Sequence, residues 1–279
     1  MKQVLKVEGE DMLKKKRVVL FLAIVVILLL IGGCGSGIIK SEKTAFDEMH
    51  EKETTSLSLE MIDTSASNLS NATCAWGFKR VKGAPPELAS AFTAPLDRFL
   101  GIYLGNSETP KIYLTFDEGY ENGYTASILD TLNEKKVTAA FFVTMPYVKQ
   151  NPELVKRMIE EGHIVGNHTV HHPSMPEVTD DEKLKQEIME LHDYLKENFN
   201  YEMSYLRPPK GEYSERTLKI AKDLGYTTVL WSSAYADWDT KNQKGTEYAK
   251  QMIMDYAHNG CVMLLHAVSK DNADRKSVV

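Results

Sequence analysis

The stretch Ile112-Tyr113-Leu114-Thr115-Phe116-Asp117-Glu118-Gly119 is a short apolar run that stops abruptly at two acids and a glycine. It opens a region in which runs of this kind alternate with helical periods. Candidate strands cover 112–116, 137–143, 164–167, 205–207, 227–231 and 261–266; candidate helices lie between them at 125–133, 152–161, 180–198, 214–224 and 245–258. In the longest helix Leu184, Ile188, Leu191 and Leu195 recur at three- and four-residue spacings, so one face is buried. Alternation of strand and helix throughout predicts a mainly parallel α/β sheet or barrel.

Polar residues gather where such a fold builds its site. Asp117, Glu118, His168, Arg207, Asp237 and His266 all fall at or just beyond the C-terminal ends of candidate strands, the ends whose loops converge on one face of a parallel α/β barrel. Singly, each has a bland reading: a solvated acidic turn, a strand terminator, a buried histidine. Gly119 lets the backbone turn and aim both Asp117 and Glu118 near one point. His168 and His172 are four apart, so on one helical turn both imidazoles face the same way and suit one divalent ion. A carboxylate from Glu118 would complete a set with open positions for water and substrate. His171 would point elsewhere, and His163 reads as a hydrogen-bonded structural residue.

The chain has 279 residues, 43% hydrophobic and 26% charged, with net charge −6. This is ordinary globular composition and argues against nucleic acid as a partner. Val18–Ile31 is an unbroken apolar run of 14 residues behind Lys14, Lys15, Lys16 and Arg17. At about 1.5 Å per residue it spans roughly 21 Å, short of the ~30 Å bilayer core, and reads as an export signal. Ile31-Gly32-Gly33-Cys34 resembles a bacterial lipobox, which implies cleavage before a lipidated Cys34; the alternative is an uncleaved membrane anchor. Either reading places the remainder outside the cell, attached to the outer face of the cytoplasmic membrane. Loss of 1–33 removes six Lys/Arg and three Asp/Glu, leaving 27 basic against 36 acidic residues and a net charge of −9. Residues 34–75, rich in Ser, Thr, Glu and Asn, read as a flexible tether. Residues 76–110 regain aromatic and apolar character and read as an arm packed on the domain at 111–279. Cys74, in a polar stretch, and Cys261, opening an apolar strand, are expected to be unpaired.

The ordered series Thr115-Phe116-Asp117-Glu118-Gly119, then His168-Thr169-Val170-His171-His172-Pro173, Arg207-Pro208-Pro209-Lys210-Gly211, Asp237-Trp238 and Leu264-Leu265-His266 resembles the five motifs of the polysaccharide deacetylase family, also called the NodB-homology or carbohydrate esterase family four. Tyr113–Asp117 with Gly119–Thr125, and Leu264–Ala267 with Ser269–Ala273, look like its spore-cortex branch, the delta-lactam-biosynthetic de-N-acetylases acting on N-acetylmuramic acid. The resemblance implies a distorted, incomplete (β/α) barrel. It also implies metal-assisted de-N-acetylation of N-acetylmuramic acid in peptidoglycan glycan strands, leading to muramic δ-lactam in spore cortex. Asp117 would be the general base and His266 the general acid. Arg207 would hold Asp117 ionised, Asp237 would orient His266, and Trp238 would wall the pocket. His168, His172 and Glu118 would hold a divalent ion, Zn²⁺ foremost.

This chain departs from the family at Glu118, where the usual residue is Asp, and at Ala234, where many relatives carry a further Asp. Pro209 and the backbone N–H of Lys210 suit an oxyanion site, since consecutive prolines fix the chain there. The Lys210 ammonium suits the lactyl carboxylate that distinguishes muramic acid from glucosamine. Only 13 residues follow His266, so the barrel is expected to lack the last helix and strand of its relatives. Two other readings stay open: deacetylation of another N-acetylated polysaccharide, such as chitin oligomers or peptidoglycan N-acetylglucosamine, and a truncated, inactive sugar-binding module.

Overall fold

The computed structural model describes residues 65–268. The apolar run at 18–31, Cys34, the tether up to residue 64 and the residues after Val268 lie outside the described residues. Among those described, no helix is long and apolar enough to cross a membrane.

The strands are β1 (Cys74–Ala75), β2 (Lys79–Val81), β3 (Ala84–Glu87), β4 (Ile112–Glu118), β5 (Ala140–Val143), β6 (Ile164–Asn167), β7 (Tyr205–Leu206), β8 (Glu212–Tyr213), β9 (Thr227–Thr228), β10 (Ser233–Ala234) and β11 (Cys261–Leu265). The helices are α1 (Ser90–Arg98), α2 (Thr125–Lys135), α3 (Met145–Gln150), α4 (Pro152–Glu160), α5 (Asp181–Phe199), α6 (Glu215–Asp223) and α7 (Thr246–Tyr256). Seven strands form one sheet in the order β10-β11-β4-β5-β6-β7-β9, paired in parallel throughout. The sheet curls into the incomplete barrel expected.

Side chains alternate across the strands, and the alternation sorts the core into two clusters. Phe116, Phe141, Val143, Val165, Leu206 and Met263 face the helices and pack with residues such as Leu184, Ile188 and Leu191 of α5. Tyr113, Ala140, Phe142, Ile164, Tyr205 and Val262 face the concave interior, a cluster to which no helix contributes. Continuing in steps of two along these strands, Tyr113 leads to Asp117, Ile164 to His168, Tyr205 to Arg207 and Val262 to His266. One periodicity therefore brings four polar residues to the same mouth.

Where the elements differ from expectation, local hydrogen bonds explain why. β5 begins at Ala140 rather than 137, because the Val137 N–H closes α2 on the Leu132 carbonyl (2.9 Å) behind left-handed Lys136, and the Ala139 N–H donates to His163 Nδ1 (3.2 Å). The six-residue α3 and two-residue β10 are too short to show a period. The expected strand 227–231 pairs with β7 only at Thr227–Thr228. Beyond it, Ile102 of the arm takes over, receiving the Leu230 N–H on its carbonyl (2.7 Å) and donating its own N–H to Thr228 (2.8 Å). Arg80 caps the other edge by donating to the Ala234 carbonyl (2.8 Å). Both open edges of the sheet are thus covered by residues that precede it.

The expected tether boundary at residue 75 is corrected. Asn71 accepts from Ser214 Oγ (2.9 Å) and Arg216 Nε (2.9 Å), and β1 pairs with β8, so the end of that stretch is built into the domain. Trp76 donates its backbone N–H to the Gly211 carbonyl (2.9 Å) and its indole N–H to the Trp231 carbonyl (2.9 Å), clamping the Arg207–Gly211 loop. Cys74 and Cys261 are unpaired, as expected.

Gly166 is required by packing: a Cβ there would lie 2.5 Å from Phe142 Cδ1, and the Phe142 ring in turn lies 4.2 Å from Arg207 Cζ. Gly166→Ala is expected to cost about 1–3 kcal/mol of stability through overpacking, read as a lower urea midpoint. An unchanged midpoint would show that this contact has slack.

Candidate active site

Arg207 is fully buried at the residue after β7. Its guanidinium lies against the Phe142 ring and 5.5 Å from the Trp231 ring centroid. It donates to the carbonyls of Val229 (3.1 Å) and Leu230 (3.2 Å) and, from Nη1, to Asp117 Oδ1 (2.8 Å). Burial alone would raise the Asp117 pKa. The charge of Arg207, with smaller help from His168 and His266, outweighs it and holds the carboxyl below its ordinary range. Asp117 is therefore an ionised carboxylate whose second oxygen lies 3.5 Å from His168 Nε2.

His168 follows β6. Its Nδ1 sits 2.8 Å from the Arg207 carbonyl; a carbonyl only accepts, so Nδ1 carries the proton and the Nε2 lone pair faces the mouth. Burial first, opposed by Asp117, pushes this imidazole down to about 4, so it is neutral at ordinary pH. The helical turn expected for His168–His172 is not formed. Thr169 and His172 are both left-handed (φ 68° and 57°), and this tight loop brings the two rings to 4.7 Å between centroids. Asn167 holds the loop: its Oδ1 accepts from the Thr169 N–H (2.8 Å), and its amide donates to the Ile188 carbonyl and the Tyr226 hydroxyl (2.8 and 3.1 Å). Thr169 Oγ1 accepts from the His172 N–H (3.1 Å). His171 points away, onto Glu187 (2.6 Å).

His266 follows β11 and is gripped twice by Asp237, whose Oδ2 accepts the backbone N–H and Oδ1 the ring Nδ1–H, both at 2.8 Å. Burial disfavours the imidazolium, but the hydrogen bond and charge of Asp237 outweigh it and raise the His266 pKa. Pro209 is buried, while Lys210 is exposed and left-handed (φ 60°); its charge acts on His172. Trp238, beside Asp237, is 61% exposed.

The polysaccharide deacetylase family model matches residues 105–229. The peptidoglycan-N-acetylmuramic acid deacetylase PdaA of Bacillus subtilis (strain 168) is 46% identical over 201 residues, 71% of this chain and 76% of its own length. The chain belongs to the polysaccharide deacetylase family. The solved structure of B. subtilis PdaA, a family 4 carbohydrate esterase, superposes with a TM-score of 0.72 at 44% identity, covering 74% of this chain and 88% of its own. A family 4 carbohydrate esterase from Bacillus anthracis gives 0.61 at 42% identity, over 74% and 86%. The fold and hydrolytic class expected of the motifs are those of the family.

Family 4 deacetylases depend on a metal in general, and this chain fits that requirement in part. His168 and His172 present adjacent imidazoles, the first locked in the ligating tautomer. Among the described residues, no three His, Cys, Asp or Glu side chains gather into a metal-binding group. The expected ligand Glu118 does not join the histidines. β4 continues to Glu118, which pairs with Val143, so strand alternation turns Glu118 to the helix-facing side when Asp117 faces the mouth. There its charge acts on the buried Tyr147 hydroxyl, whose pKa is raised first by burial and then by Glu118. A strand ending at Phe116 would have aimed both acids at one point; the two further strand residues separate them. Asn167 and the ring pair Phe142 and Trp231 carry no motif in the sequence; only the position of Asn167, between a strand and the first histidine, offers a signal.

Because Asp237 raises the His266 pKa, the proton His266 carries is lost only as pH climbs above the ordinary histidine value. Asp237→Asn is expected to move the alkaline limb of the kcat/KM profile to lower pH. An alkaline limb left in place would separate it from the His266 proton.

Proposed function

We propose that the protein removes the N-acetyl group from N-acetylmuramic acid residues of peptidoglycan, the step before muramic δ-lactam formation in spore cortex. The observation that carries this reading is a carboxylate held ionised by Arg207 and an imidazole pushed toward its protonated form by Asp237, facing one mouth in a relative 46% identical to PdaA. Asp117 takes the proton of the attacking water as its oxygen bonds to the acetyl carbon. His266, with Nδ1 committed to Asp237, delivers the Nε2 proton to the sugar nitrogen as the C–N bond breaks, leaving acetate and a free amine. His168 and His172 would hold the divalent ion, with Zn²⁺ suited to imidazole donors. Such an ion supplies Lewis acidity, polarising the acetamide carbonyl and acidifying water.

Arg207 acts through Asp117 and does not meet the substrate. Pro209 and the Lys210 backbone N–H line the acetamide oxygen, and Trp238 forms a wall. The Lys210 ammonium pairs with the lactyl carboxylate, which is free only after the stem peptide has been removed. The reading of 18–31 as an export run, with attachment through a lipidated Cys34 or an uncleaved anchor, supports a location on the outer face of the cytoplasmic membrane, beside the polymer.

Acetate release from peptide-stripped and intact peptidoglycan tests the reading. The purified protein with added Zn²⁺ is expected to prefer the stripped glycan. Lys210→Ala is expected to raise KM about ten-fold on muramic substrates and to leave glucosamine substrates unchanged. Equal losses on both would remove Lys210 from recognition, and no acetate from either glycan would favour a sugar-binding module.

A further inference from the structure

The loop leaving β4 is tied down around one residue that is not. The Gly119 carbonyl accepts from Thr144 Oγ1 (3.3 Å). The Glu121 carboxylate accepts the N–H groups of Gly123 (2.5 Å) and Thr125 (3.3 Å) and the Thr125 hydroxyl. The Asn122 amide donates to the Val268 carbonyl (2.8 Å), two residues beyond His266. The loop is thereby strapped from the end of β5 to the turn after β11, while Tyr120 within it stands 51% exposed.

In the order β10-β11-β4, Trp238 follows the first strand, His266 the second and Tyr120 the third. Neighbouring strands lie about 4.8 Å apart, so the elements that supply the two exposed aromatics are separated by roughly 10 Å, with the His266 position between them. An exposed ring on an anchored loop forfeits apolar burial unless a ligand covers it, and the ordering cost of presenting it is already met by the loop. A pyranose ring offers a flat face of C–H bonds suited to that surface.

We propose that Tyr120 is a specificity-determining residue: a stacking platform for the sugar next to the muramic acid being deacetylated, which makes the enzyme act on glycan chains rather than single sugars. This rests on the deacetylase reading above. The test compares wild type, Tyr120→Ala and Tyr120→Phe on peptide-stripped glycan oligomers, with monomeric N-acetylmuramic acid as a competitor. Tyr120→Ala is expected to raise KM for oligomers about ten-fold with kcat unchanged, to leave the inhibition constant of the monosaccharide unaltered, and to be rescued by Tyr120→Phe. An unchanged KM, an equal weakening of monosaccharide and oligomer, or no rescue by phenylalanine would overturn the platform while leaving the deacetylase standing. If the wild type released no acetate, the deacetylase reading itself would fall, and this proposal with it.

Discussion

Taking two opposite charges out of water costs several kcal/mol per ion unless every donor finds a partner, and the Arg207–Asp117 pair is buried at the mouth of the curled sheet. Much of the surrounding structure meets that demand. β4 and β7 each contribute one partner by the same alternation. The chain beyond β9 turns two carbonyls onto the guanidinium. Phe142 and Trp231 lie against it, and Gly166 leaves room for the Phe142 ring. Even the arm takes part, since Trp76 binds the carbonyl of Trp231. Breaking such a pair from one side leaves a buried charge uncompensated, a loss of about 3–5 kcal/mol.

The chemistry follows from how this pair and its neighbours divide the protons. Asp117 is pushed toward its charged form by a fixed cation, and His266 toward its charged form by a fixed anion. Two groups whose environments drive their pKa values apart are suited to be base and acid in one turnover. Beside Asp117, His168 is kept neutral by burial and held in one tautomer by the Arg207 carbonyl. Arg207 thus sets two states at once, the charge of Asp117 through its side chain and the tautomer of His168 through its backbone.

Much of this was legible in the sequence because it follows a period. Strand runs ending in polar residues placed Asp117, His168, Arg207 and His266 at the mouth, and the order of the motifs identified the family. What was not legible depends on a boundary or on contacts distant in the chain. A strand longer by two residues reverses Glu118 from the mouth to the helix side. Two left-handed residues replace a helical turn between His168 and His172, and the pairing of the rings survives for a different reason. Asn167 and Trp76 act through partners 59 and 155 residues away, separations no local pattern reports.

Arg207 keeps Asp117 ionised inside the protein. A site-resolved titration of the Asp117 carboxyl by carbon NMR or infrared difference spectroscopy, with Asp117→Asn assigning the signal, reads this directly. The carboxylate is expected to stay ionised to pH values below the ordinary aspartate value near 3.9. A carboxyl that takes up its proton at or above that value would mean that Arg207 does not hold the charge.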